Sequence, residues 1–245
     1  LVGDLGAGGM DFLAVEFTGP TIEKSTLADR ITLCSMVTEM SGKIGLIMPS
    51  GEVLKWLAER AGPEVETRVR ELAADADAPY CEVRKYDVSK LEPMVSCPDS
   101  PDNVKKVREV QGAAVDQVHI GSCSNGRFED IQAAFNVLKK ADFKVSDKVR
   151  TIITPSTREV MLQCAKAGMI EKFLEAGVVF TNPTCALCTA EHYGALPSGD
   201  VGCSTTNRNF IGKVGKGSHT YLMSPMTAMA KAVRGVITYP RDILG

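Results

Sequence analysis

The sequence has no surplus of either charge: 28 Lys and Arg stand against 30 Asp and Glu, a formal net charge of -2 over 245 residues. That balance supplies no general attraction to nucleic acid or to anionic membrane surfaces. Long apolar runs are missing as well. The uncharged stretch from Ser218 to Ala230 is rich in Ser, Thr and Pro, and falls short of the roughly 20 apolar residues that a bilayer-spanning helix needs. The first ten residues, LVGDLGAGGM, hold neither the basic start nor the apolar run of a secretory signal and do not begin with Met. They read as the interior of a longer protein, so a truncated chain is expected. Internal repeats and low-complexity tracts are absent too. Cysteine is sparse for a disulfide scaffold: eight residues, at 34, 81, 97, 123, 164, 185, 188 and 203. A reducing cytoplasm with thiols free for a metal is the better reading.

What is present suits an α/β protein. Apolar residues make up 44% of the chain, enough for one large domain or two modest ones. Helical spacing of Leu27, Ile31, Leu33, Cys34, Val37 and Met40 predicts a helix from Thr26 to about Met40. Ser25 or Thr26 can cap it and Gly42 can end it. Ile44 to Met48 reads as a short buried strand, with helices over Gly51–Arg60 and about Pro63–Ala74. Residues 79–103, broken by Pro79, Pro93, Pro98 and Pro101, read as an irregular connection. Strands are then expected at Val115–Ile120, Val149–Ile153, Gly177–Thr181 and Val201–Thr205, with helices over Phe128–Lys140 and Ser156 to about Ala167 between them. Such alternation argues for a mostly parallel sheet covered by helices. The division expected is a lobe over 1–84 and a second over 85–245.

Chemistry concentrates in three cysteines. Cys123 lies in Gly121-Ser122-Cys123-Ser124-Asn125 and follows one predicted strand; Cys185 and Cys188, in Cys185-Ala186-Leu187-Cys188, follow another. Ligands collect at the carboxyl ends of strands in open α/β sheets, so two loops could bring three sulfurs to one point. Three thiolates leave a four-coordinate site open. A redox pair is one alternative for the CxxC, and a zinc site is another, with His192 four residues beyond Cys188 as a further ligand. Asn207-Arg208-Asn209-Phe210-Ile211-Gly212-Lys213 offers a planar fork at Arg208 and a point charge at Lys213 for a carboxylate. The Gly212–Gly217 run lacks the spacing of a phosphate loop. Glu16, in Ala14-Val15-Glu16-Phe17-Thr18-Gly19-Pro20, reads from spacing alone as a surface glutamate on an edge strand. Cys34 and Cys164 read as small core residues, His119 as a satisfied core histidine and His219 as a loop residue. Arg127 and Glu129 read as support for the helix start after Cys123.

The three motifs, in this order, closely resemble the signatures of the aconitase family, and the resemblance extends over essentially the whole chain. Within the family the chain resembles the large subunits of the 3-isopropylmalate dehydratase and homoaconitase branch. The resemblance implies a fold of aconitase-like lobes with the cluster site at strand carboxyl ends. It also implies a 4Fe-4S cluster on Cys123, Cys185 and Cys188, with Glu16 near the iron-bound hydroxyl. Asn207 would lie near the cluster, with Arg208 and Lys213 on substrate carboxylates. The implied activity is removal and re-addition of water on a hydroxy di- or tricarboxylic acid, with dimethylmalate-type dehydration a variant. Lys213 stands where the family usually has Arg, which points to a different or smaller diacid. The implied partners are a small carboxylic-acid substrate and a small subunit or swivelling domain carrying the proton-abstracting group, without which the chain would be inactive. A zinc-stabilised binding module is the rival of a different class.

Overall fold

A computed structural model describes residues 1–188, 190 and 192–245. Among them, β1 (Ala14–Glu16) and β2 (Ile44–Leu46) pair in parallel as a two-stranded sheet. The larger sheet is built from β3 (Met94–Ser96), β4 (Val104–Lys106), β5 (Gln117–Gly121), β6 (Arg150–Thr154), β7 (Val179–Phe180), β8 (Val201–Ser204) and β9 (His219–Met223). These lie in the order β4-β3-β9-β8-β5-β6-β7. The five from β9 to β7 are mutually parallel, and β3 and β4 add antiparallel at one edge. The expected mostly parallel sheet covered by helices is therefore present.

The parallel strands carry mostly buried apolar and small side chains, such as Val118, Ile120, Ile152, Ile153 and Cys203, with buried polar groups among them. Every residue of β5 is buried. Helix Phe128–Lys140 packs against β5 and helix Pro225–Arg234. Its Ile131, Ala134, Val137 and Leu138, spaced along one face, are wholly buried. Each large apolar side chain so buried contributes about 1.5–3 kcal/mol. Phe173, on helix Met169–Glu175, meets Phe135 edge-on at 5.4 Å.

Chain order within the sheet locates the crevice. From β5 the chain steps outward to β6 and β7, then returns to place β8 on the other side of β5. The connections leave β5 and β8 in opposite directions, opening a gap between their carboxyl ends. That gap lies beside Cys123 and the Asn207-Arg208 loop.

Several expectations change. The helix predicted to Met40 is α-helical only over Leu27–Met36 and tightens to a 3-10 turn over Val37–Met40, ending at Ser41 with φ 64°. The stretch 79–103 is not irregular throughout, since β3 falls inside it. Strands of three residues between prolines carry too little alternation to be read. His219 opens β9 rather than lying in a loop, and the run from Ser218 to Ala230 divides into β9 and the first part of a helix capped by Ser224. The helix Met169–Glu175, begun at Gly168 with φ 69°, has no counterpart among the predicted elements. At the start of Phe128–Lys140, Asp130 rather than Glu129 accepts the Arg127 N–H, at 3.0 Å. None of the helices among the described residues is long and apolar enough to cross a membrane.

Candidate functional site

The gap between β5 and β8 opens into a cavity of about 200 Å³ lined by Thr38, Glu39, Ser122, Cys123, Ser124, Cys188, Thr206, Asn207, Arg208 and Lys213. Its floor is set by glycine. Gly121 ends β5 with φ 124°, and a Cβ there would stand 1.9 Å from the Thr154 carbonyl oxygen. No side chain fits. The chain turns at once through Ser122, itself at φ 69°, into the single turn Ser122–Asn125 that exposes Cys123.

Two residues lock this turn to the end of β8. The Thr205 hydroxyl oxygen accepts the Gly121 N–H at 2.8 Å, and the Thr205 carbonyl accepts the Asn125 Nδ2 donor at 2.8 Å. Asn209 then pins the following loop, its Nδ2 donating to Cys97 O at 2.8 Å and lying 3.1 Å from both Ser96 Oγ and Thr220 O. From the other side, Thr32 of helix Leu27–Met36 reaches Asn125 Oδ1 at 3.1 Å.

The second cysteine loop follows β7. Ala186 has φ 45° and Leu187 is buried with Leu196 and Val214, which anchors a turn through Ala186–Cys188. Cys188 faces the same cavity as Cys123. Hydrogen bonds from Cys188 and Ser124 outweigh the burial penalty at Cys123 and bring its pKa down to about 5, while bonding to Cys123 and burial push Cys188 up. Of the two, Cys123 is the more easily ionised. Among the described residues no three His, Cys, Asp or Glu groups are set to hold a metal ion. His192 lies 3.5 Å from Thr184 Oγ1, outside the cavity lining.

Five of the residues singled out from the sequence thus share one cavity: Cys123, Cys188, Asn207, Arg208 and Lys213. Cys185, exposed three residues before Cys188, does not line the cavity. Glu16 does not line it; at the end of β1, its carboxylate accepts the Tyr80 hydroxyl. Sequence reasoning missed Glu39, whose Oε1 accepts the Arg208 Nε–H at 2.7 Å. The signal for it was an acid set between the core residues Val37 and Met40. Two buried polar atoms at the cavity, Ser122 Oγ and Asn207 Oδ1, have no hydrogen-bond partner.

The sequence has counterparts in known proteins. The model of the Aconitase family (aconitate hydratase) matches residues 1–114 and 104–235. A relative named "Probable methanogen homoaconitase large subunit", from Methanosarcina mazei, is 44% identical over 99% of this chain and 60% of its own length. The "3-isopropylmalate dehydratase large subunit" of Geobacter metallireducens is 41% identical over 100% of the chain and 58% of its own length. A "Probable 3-isopropylmalate dehydratase large subunit" from Methanothermobacter thermautotrophicus is 42% identical over 99% and 57%. The chain spans a little over half the length of these relatives. It belongs to the aconitase family.

Proposed function

We propose that this chain is the cluster-bearing part of the large subunit of a hydro-lyase that removes water from a hydroxy diacid and adds it back, of the 3-isopropylmalate dehydratase type. The observation that carries the reading is the single cavity joining cysteine thiols to Asn207, Arg208 and Lys213. A 4Fe-4S cluster on Cys123, Cys185 and Cys188 would supply a Lewis-acid iron without a cysteine ligand, suited to polarising a hydroxyl. The cavity lining is of the chemistry such a group takes: the Cys123 and Cys188 thiols, with Ser122 Oγ and Asn207 Oδ1 unpartnered beside them.

The chain's own residues would bind and orient. Arg208 offers a planar fork to one substrate carboxylate and Lys213 a point charge to another. Both cations draw charge from the carboxylates, making the neighbouring C–H proton easier to remove. Glu16 would hold the proton that leaves with, or returns from, the hydroxyl, with Tyr80 occupying one of its oxygens. Its role rests on the family motif alone, because it stands outside the cavity lining. Lys213 in place of the usual Arg favours a small alkylated malate, whereas the name on the Methanosarcina mazei relative favours homoaconitase chemistry. A small-subunit partner, inactivity of this chain alone, a cytoplasmic location and a division into lobes at 1–84 and 85–245 belong to the same proposal.

Anaerobic reconstitution with iron and sulfide tests it. The expected product is brown, with broad visible absorption that Cys123→Ala abolishes. About one zinc per chain without sulfide would instead support a zinc-stabilised binding module. Turnover of 3-isopropylmalate against homocitrate, citrate and dimethylmalate with an added small subunit selects the substrate.

A further inference from the structure

Cys123 is exposed, but the two serines that flank it in the turn Ser122–Asn125 are not: Ser122 is 0% exposed and Ser124 2%. Ser124 Oγ lies 3.9 Å from Cys123 Sγ, within reach of the sulfur. Ser122 lines the cavity, yet its Oγ has no hydrogen-bond partner among the described residues. We infer that the Ser122 hydroxyl donates its hydrogen to a sulfur of the iron-sulfur cluster and so favours the reduced cluster over the oxidised one, an inference resting on the cluster proposed above.

Serine is unfavourable at this position on two counts. Its φ of 69° belongs to the left-handed region that glycine occupies freely, and the turn already uses glycine at Gly121, with φ 124°. A buried hydroxyl without a partner also forfeits its hydration. Glycine at 122 would remove both penalties and keep the turn. The side chain is explained by a group that reaches it from the cavity.

Chemistry and access limit what that group is. A cluster sulfide or a bound thiolate has lone pairs and no hydrogen, so donors alone satisfy it, and a hydroxyl is a donor. A diacid entering from solvent meets the Arg208 and Lys213 cations. The Ser122 oxygen is covered from solvent, whereas a cluster held by Cys123 is bonded to the very next residue. Reduction adds one electron and breaks no bond; the added charge spreads over the sulfurs, so a donor to one of them raises the reduction potential.

The test is an anaerobic redox titration of the reconstituted parent, S122A and S122G, with dithionite supplying the electron and electron spin resonance reading the reduced cluster. The expected result in both variants is a tenfold shift toward the oxidised form at fixed potential, a midpoint lower by about 59 mV for one electron. Without the cluster, the urea midpoint of S122A should match or exceed the parent, and S122G should exceed it because glycine suits this φ. An unshifted potential in either variant overturns the inference. So does a cluster-free S122A that unfolds more easily than the parent, since the hydroxyl would then have a partner within the protein. Iron and sulfide analysis of the parent keeps the two readings apart: no cluster uptake sinks the proposed function and this inference with it, whereas a loaded parent with unshifted variants sinks the inference alone. Should S122A not fold, S122G relieves the backbone strain and carries the same comparison.

Discussion

His119 Nε2 lies 3.1 Å from Thr154 Oγ1, tying the strand that leads to Cys123 to its neighbour. Thr154 Oγ1 is in turn 2.9 Å from Thr181 Oγ1, whose hydroxyl reaches the Asn182 carbonyl at 3.1 Å, just before the Cys185 loop. One assignment satisfies this chain with each group donating once: His119 Nε2–H to Thr154, Thr154 to Thr181, Thr181 to the main chain. It leaves His119 Nδ1 as a buried acceptor without a partner. The histidine expected to be a satisfied core residue is only half satisfied. Through it, the two loops that carry the cysteines share one buried hydrogen-bond line.

Thr154→Val should therefore cost more than a surface hydroxyl would. It keeps the shape of the side chain but strands His119 Nε2 and removes the link to Thr181, a loss of about 2–3 kcal/mol. Thr154→Ser should recover most of it. Urea unfolding midpoints of the two variants decide the matter, and equal midpoints for Val and the parent would remove the line's structural role.

Burial holds His119 neutral, with its pKa brought down to about 4 from the ordinary 6.5. Stability from this residue is fully present above the unfolded value and is lost as pH falls through the folded one, so the window is pH 6.5 down to 4. Each tenfold change in proton affinity is worth about 1.4 kcal/mol, so the contribution is on the order of 3 kcal/mol. Unfolding free energies measured across that window should fall in the parent and stay flatter in His119→Phe.

Asp130 has the opposite sign. Burial, with Glu129 and Asp29 nearby, raises its pKa to about 7 against the pull of the Arg127 N–H and charge. A carboxyl raised in the folded state favours folding most below its unfolded pKa, and that advantage fades as pH rises toward 7. Asp130→Asn retains an acceptor for the Arg127 N–H without the buried charge. The variant should gain a few kcal/mol at most over the parent at pH 8, and nothing at pH 4. A gain that does not depend on pH would rule out the charge as its source.

The legible parts of this protein were local. Five residues that share the cavity came from short motifs, and the parallel strands came from short β-branched stretches bounded by turn residues, such as Thr151 to Ile153. The positions of Cys123 and Arg208 after β5 and β8 could be read because strand-end placement follows from alternation alone. Glu39 could not be paired with Arg208, because contacts between distant segments leave no local periodicity. The same holds for His119, whose partner Thr154 lies on the neighbouring strand and is itself bonded to Thr181 just beyond β7. β3 and β9 escaped for a simpler reason: three residues between prolines, and a strand opened by His219, offer too few apolar side chains to count.

Gly121→Ala should prevent the site from forming. The φ of 124° is strained for any residue with a Cβ, and the added carbon would meet the Thr154 carbonyl oxygen, a backbone atom that cannot swing aside. The expected loss is upwards of about 3 kcal/mol, read as a lowered unfolding midpoint or as insoluble expression. An unchanged midpoint would mean that β5 and β6 can part at little cost.

Lys231 carries the last prediction. Its side chain is fully buried, and Nζ donates at 2.7 Å to the carbonyls of both Val115 and Gly235. Gly235, at φ 80°, ends helix Pro225–Arg234, so one ammonium closes that helix and holds it to the residue leading into β5. Burial lowers the Lys231 pKa to about 8 from 10.5, with Cys203 and Asp116 opposing the shift. The lowered value means that the charged form is disfavoured in the fold, so folding gains on raising the pH from 8 to 10.5. Lys231→Met fills the same space but leaves two buried carbonyls unpaired, at about 1–3 kcal/mol each, offset in part by removing a buried charge. Its deficit should therefore be larger at pH 10 than at pH 7. Measuring the variant and parent at both values separates the two effects: a deficit that shrinks at high pH would show the charge, not the hydrogen bonds, to be what Lys231 contributes.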